Sequence, residues 1–176
     1  MLISPALLIV DVQVGFVTEH TASIPMAVQE IQNYYHHVFI SKFVNPDGSP
    51  FRKLMKWNKF SPGSSDIDLA FIPVPRSRIF EKDIYTCVDD NFLRILDKER
   101  IDTIDICGID TDICVMKSAA DLFENSITPR VLAEYCASTA GDDHHKAALK
   151  IIGRYIGRDQ IIYNHVTLQK KIVKIN

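Results

Sequence analysis

Six short runs of almost unbroken apolar residues, alternating with longer segments of helical period, constrain this chain more than anything else in it. The runs are ALLIVD (6–11), HVFISKF (37–43), SRIFEK (77–82), TIDICG (103–108), TPRVLAE (128–134) and DQIIY (159–163). A strand exposed on one face alternates apolar with polar residues, whereas a strand covered on both faces does not. Between the runs lie IPMAVQEIQNYY (24–35), DDNFLRILDKE (89–99), TDICVMKSAADLFEN (111–125) and DDHHKAALKIIGRYI (142–156), each with apolar residues three and four apart. Strand and helix in turn, joined by right-handed crossovers, predict a three-layer α/β/α fold around a parallel six-stranded sheet.

One stretch breaks the pattern. Residues 44–76, VNPDGSPFRKLMKWNKFSPGSSDIDLAFIPVPR, carry Pro, Gly, Ser and aromatics where a compact crossover would have a clean helix. One short helix is expected there, over 50–57, inside two loops. Loops of this length in a small protein are often functional, and the alternative is a surface excursion covering a sheet edge. From residue 164 the tail NHVTLQKKIVKIN alternates apolar and charged residues and reads equally as an edge strand or a docking segment. At 176 residues the expected organisation is one domain over 1–176.

Composition excludes several functions. With 47% hydrophobic and 24% charged residues and a formal charge of -2, neither disorder nor binding to a polyanion such as nucleic acid is indicated. The opening MLISPALLIVDVQ has no basic start, and its apolar run stops at Asp11, so it reads as neither a secretory leader nor a membrane span. A cytoplasmic protein is expected, without membrane association. Cys87, Cys107, Cys114 and Cys136 have no CxxC spacing and are read as separate thiols. No phosphate loop, dinucleotide fingerprint or HExxH occurs, and CVMKSAAD offers no arginine for a thiol phosphatase. His144 and His145, at the start of a helical segment, are expected to face solvent or the mouth of a site.

In an open parallel sheet, ligands sit beyond the carboxyl ends of the strands where the strand order reverses. Asp11 ends the first run, Lys82 ends the third, and Cys114 lies just past the fourth. A thiol in the first turn of a helix is expected to have a lowered pKa. Asp11 could accept its proton, and Lys82 could balance the charge. Duller readings stand beside this one: Cys114 as a small core residue, Asp11 as a turn residue, Lys82 as a solvated cation, and Asp110 and Asp112 as helix caps. Cys87, Cys107 and Cys136 are assigned to the core. Phe16, Trp57 and Tyr85 are candidate walls of a small-molecule pocket.

Four segments in order carry a family resemblance. LLIVDVQVGF (7–16) resembles the D-x-Q-x-x-F opening of the isochorismatase-like cysteine hydrolases, a group that includes nicotinamidases and carbamoylsarcosine amidases. EKDIYTCV (81–88) resembles their lysine segment, and GIDTDICVMKSAADLFE (108–124) their G-x-x-T-x-x-C-V nucleophile turn. VLAEYCASTAGDDHHKAAL (131–149) is similar to the strand and helix that follow. The resemblance implies a sheet of order 3-2-1-4-5-6, a catalytic Asp11, Lys82 and Cys114, and a cis Ile109–Asp110 peptide. It implies an oxyanion hole from the backbone N–H groups of Asp110 and Cys114. The expected activity is hydrolysis of a small amide or related C–N bond through a thioester, by a homo-oligomer without cofactor.

Nicotinamidases add an Asp-x-His and a further histidine after the second strand to bind a metal; here SKFVNPDGSPF has none, so no metal is expected. Other readings remain: cleavage of a vinyl ether, as in isochorismatases, or a catalytically idle oligomeric binding protein. A peroxide-sensing thiol is weaker, because Cys107 falls too deep in a strand to resolve an oxidised Cys114.

Overall fold

The computed structural model describes residues 5–163. Its strands are β1 (Ala6–Val10), β2 (Val38–Phe43), β3 (Arg78–Lys82), β4 (Thr103–Ile109), β5 (Thr128–Ala137) and β6 (Ile161–Ile162). They form one six-stranded sheet of order β3-β2-β1-β4-β5-β6. Every pairing is parallel. The helices are α1 (Ile24–Ile31), α2 (Pro50–Lys53), α3 (Asp90–Glu99), α4 (Met116–Glu124) and α5 (Asp142–Tyr155). The fold is the expected three-layer α/β/α arrangement. The tail from 164 lies outside the described residues.

The unbroken apolar runs are explained by cover on both faces. All five residues of β1 are fully buried, and Ile104, Ile106, Cys107 and Ile109 of β4 are equally inaccessible. Burying one such aliphatic side chain stabilises by about 1.5–3 kcal/mol, so the two central strands anchor the core. Among them sits a buried ion pair, Asp105 of β4 with Arg130 of β5 at 2.6 Å, and the Tyr35 hydroxyl donates to the same carboxylate at 2.5 Å.

Boundaries depart from the sequence reading for local reasons. Helix α2 stops at Lys53, four residues earlier than expected, and the chain takes a left-handed turn at Lys56 (φ 58). The segment expected as one helix from 111 opens with a wide turn. In it the N–H of Val115 reaches back five residues to the carbonyl of Asp110 (3.0 Å), and regular helix begins only at Met116. β5 runs to Ala137 because a bulge after Val131 resets its register on β4. β6 is only two residues long.

The chain builds β1 to β3 outward to one side and β4 to β6 to the other, so the strand order reverses between β1 and β4. Gly108 makes that junction possible. At φ 126, a Cβ there would lie 2.1 Å from the carbonyl oxygen of Val10, and only glycine lets the two strands approach so closely.

Candidate active site

Asp11 follows directly on β1 with φ 50, a left-handed conformation that aspartate tolerates better than most residues. The turn aims its fully buried carboxylate into the switch point. Lys82, the last residue of edge strand β3, extends past β2 and donates from Nζ to Asp11 Oδ2 at 2.6 Å and to the carbonyl of Ile84 at 3.0 Å. Its ammonium lies 5.2 Å from the centre of the Phe43 ring, a favourable placement for a desolvated cation. The Ser41 hydroxyl donates to the other carboxylate oxygen at 2.7 Å. Cys114 completes the group, its sulfur 3.9 Å from Lys82 Nζ. The structure thus brings together the three residues singled out from the sequence.

Electrostatics correct one expectation. The Cys114 thiol is not activated by its helix position. Burial pushes its pKa well up, the Asp11 carboxylate beside it adds to the rise, and the opposing effect of Lys82 does not cancel them. For Lys82, burial favours the neutral amine, yet the charge of Asp11 prevails and holds the ammonium above its ordinary value. The resting site is therefore a neutral thiol against a carboxylate–ammonium pair. Cys87 is a buried core residue, as read from the sequence, but it is also near these charges, and burial pushes its thiol up to about 12. Cys107 is fully buried in β4.

The Ile109–Asp110 peptide is cis. Asp110 does not cap the turn that follows. Its Oδ1 accepts from the N–H of Thr139 (2.5 Å) and its Oδ2 from the Thr139 hydroxyl (3.1 Å). The next residue, Thr111, pairs its hydroxyl with Nδ1 of His145 at 2.8 Å. Two consecutive residues of the turn before Cys114 are thus tied, Asp110 to the segment leading into α5 and Thr111 to α5 itself. His145 is half-buried, with its pKa lowered by burial, while His144 is exposed. Burial raises the Asp110 carboxyl to about 6 despite the Thr139 bonds.

Beside the triad opens a cavity of about 450 Å³ that contains all three predicted wall residues, Phe16, Trp57 and Tyr85, together with Phe43, Phe51 and Phe60. Phe16 stacks on Phe60 with ring centres 4.1 Å apart, and Phe43 lies nearly parallel to Trp57 at 5.8 Å. The 44–76 excursion supplies three of these six rings, Phe51, Trp57 and Phe60, so its role as a mere sheet-edge cover is set aside. Asn45 organises it. The Asn45 side-chain amide donates to the carbonyls of Trp57 and Lys59, both at 2.9 Å, and its oxygen accepts from the Ser49 hydroxyl at 2.5 Å. Gln13 of the D-x-Q motif bridges to the carbonyls of Phe43 (2.9 Å) and Ile67 (3.1 Å), fastening the excursion to the end of β1.

Ser41, Asn45 and Thr139 are the residues that sequence reasoning did not assign, and His145, expected to face solvent or the mouth of a site, is half-buried against Thr111. Ser41 left one signal, as the lone hydroxyl inside an apolar run. The other two are defined only by contacts between distant segments.

The residues after β2 do not fit a metal. Asn45 and Ser49 are bonded to one another, and the Arg52 guanidinium donates to the Asn45 carbonyl at 2.9 Å and pairs with Asp47 at 2.9 Å. A fixed cation and neutral oxygens are a poor set for a transition metal. Among the described residues no group of three His, Cys, Asp or Glu side chains is placed to hold one, and no helix is long and apolar enough to cross a membrane.

The switch-point cavity of this α/β protein thus opens on a thiol beside a buried carboxylate–ammonium pair. Residues 5–157 match the isochorismatase domain, and the chain belongs to that family. Solved structures share the fold at low identity. A cysteine hydrolase from Pseudomonas syringae pv. phaseolicola superposes with TM-score 0.85 at 19% identity, covering 98% of this chain and 94% of its own. The pyrazinamidase/nicotinamidase of Streptococcus mutans gives 0.77 at 22% identity, over 90% and 100%. The pyrazinamidase of Pyrococcus horikoshii, in complex with zinc, gives 0.75 at 15%, over 91% and 98%. No curated protein matches the sequence significantly.

Proposed function

We propose that this protein is a cysteine-dependent hydrolase of small amides, acting through a thioester on Cys114. The observation that carries the reading is the Asp11–Lys82 pair at 2.6 Å with the Cys114 sulfur 3.9 Å from the same ammonium, at the end of an apolar cavity. Amidase names among the structural neighbours support the same bond class.

Because the thiol rests protonated, deprotonation and attack are coupled. Asp11 takes the Sγ proton as sulfur bonds to the substrate carbonyl carbon, and the carbonyl electron pair moves to oxygen. The backbone N–H groups of Asp110 and Cys114 are assigned to hold that oxyanion, a role in which loss of one donor typically costs about 10²–10³ in rate. Asp11 returns the proton to nitrogen, the C–N bond breaks, and ammonia or an amine leaves. Water, deprotonated by Asp11, then attacks the thioester. The carbonyl re-forms as the C–S bond breaks, Asp11 returns the proton to sulfur, and a carboxylic acid leaves with the thiol restored. Lys82 stays charged throughout, stabilising the carboxylate between transfers.

The reaction is assigned as metal-independent, on the donor set after β2. The aromatic walls favour an apolar, flat acyl group. The test is release of ammonia from benzamide, nicotinamide, hexanamide and an N-carbamoyl amino acid by wild type, Cys114→Ala and Asp11→Asn, with and without EDTA. Wild-type turnover reduced at least about 10³-fold in both variants, and unaffected by EDTA, is expected. Equal rates for wild type and Cys114→Ala would refute the nucleophile, and loss of activity with EDTA the metal independence.

A further inference from the structure

Resting on that reading, the geometry points to a substrate class: we propose that Asp110 and Thr139 form an acceptor-only patch in the otherwise apolar cavity, selecting a flat ring that carries one hydrogen-bond donor. Both residues line the cavity with Cys114. The Thr139 N–H is spent on Asp110 Oδ1, and the Thr139 hydroxyl proton on Oδ2. What remains open toward a ligand is lone pairs, on the Thr139 oxygen and on the carboxylate. A ring N–H or O–H placed there is bonded; a ring oxygen or pyridine nitrogen meets lone pair with lone pair.

The other polar groups lining the cavity do not offset this. The Thr18 hydroxyl is engaged by the His20 N–H (3.3 Å) and by Thr21 Oγ1 (3.4 Å). The Lys59 side chain is exposed at the rim. Elsewhere the lining is aromatic or aliphatic apart from Gly15, Cys114, the Trp57 indole N–H, which can only donate, and the Tyr85 hydroxyl, which donates to Met55 Sδ at 3.9 Å. A single acceptor patch among six aromatic rings is a strong orienting feature, because a ligand that leaves it unpaired forfeits the bond while still removing water.

The test uses matched pairs differing in one atom: pyrrole-2-carboxamide against furan-2-carboxamide, and pyrrole-3-carboxamide against furan-3-carboxamide, with hexanamide as a ring-free amide. Ammonia release is measured at pH 8, where Asp110, titrating at about 6, is ionised. The readout is the pyrrole-to-furan ratio of kcat/KM in wild type, Thr139→Val, Thr139→Ser and Asp110→Asn. Expected is a ratio of about 10–100 in wild type for at least one ring position. It should be kept in Thr139→Ser and in Thr139→Val, where the carboxylate, freed of the hydroxyl, still accepts. In Asp110→Asn the new amide N–H can donate to the Thr139 oxygen and free the hydroxyl to donate, so the ratio falls there.

A wild-type ratio near one at both positions, or a ratio unchanged in Asp110→Asn, overturns the proposal; so does turnover of hexanamide but of no ring amide. If Asp110→Asn is inactive, the wild-type ratio alone decides. Failure of wild type on every amide, hexanamide included, would instead refute the amidase reading.

Discussion

Cys114 is 7% exposed and shares its pocket with a carboxylate, and those two facts set how its sulfur can react. In the proposed reaction Asp11 removes the proton during attack, because a standing thiolate population is suppressed by burial and by the neighbouring negative charge. The rate of Cys114 alkylation by iodoacetamide is therefore expected to rise about tenfold per pH unit from 6 to 9 without levelling. A plateau below pH 8, followed by mass spectrometry of the modified peptide, would show a depressed pKa and contradict the burial argument. Asp110 illustrates the same physics with the opposite sign of consequence. Its carboxyl is raised from 3.8 to about 6, chiefly by burial, with Asp112 and Asp11 adding repulsion against the Thr139 bonds. The native state thus keeps a proton that the unfolded chain has lost, so this contribution to stability is present below pH 4 and disappears as pH rises through 6. Asp110→Asn should be more stable than wild type by up to about 3 kcal/mol at pH 8, with the difference closing toward pH 4, as read by urea denaturation. A pH-independent difference would remove burial as the cause.

At the level of elements, two devices hold the site. The first is the approach of β4 to β1 at Gly108, which sets Asp11 and the nucleophile turn side by side. The second is the excursion between β2 and β3, whose aromatic wall depends on the hydrogen bonds of Asn45. Asn45→Ala would strand the carbonyls of Trp57 and Lys59. We expect KM for an aromatic amide to rise about tenfold with a smaller change in kcat, measured by steady-state ammonia release. Equal loss in kcat with KM unchanged would place the excursion in the chemistry rather than in binding. These elements also show what could be read from the sequence. The strands were legible because cover on both faces leaves unbroken apolar runs, and α3 because its apolar residues fall three and four apart. The wide turn at 111–115 was not, since its hydrogen bonding is set by the bonds of Asp110 to Thr139 and of Thr111 to His145, across a sequence gap that no periodicity reports. The excursion announced itself by composition, but Asn45 looks like any loop asparagine until its partners are in place.

Across the molecule, each active residue sits at a carboxyl strand end, as the strand-order reversal requires. The order of motifs along the chain was enough to anticipate the sheet order and the meeting of Asp11 with Cys114. The reach of Lys82 was less legible, because β3 is the outermost strand and a terminal lysine there would ordinarily be solvated. Phe43 explains the difference: its ring lies under the ammonium and makes a low-dielectric passage from the sheet edge to the switch point. This arrangement gives the chemistry a dependence on assembly. If β3 has not docked, Asp11 is buried without its counter-charge, a state that costs about 3–5 kcal/mol relative to the paired one. The outer strand therefore works as a checksum, so that a half-assembled sheet is both unstable at its centre and chemically silent.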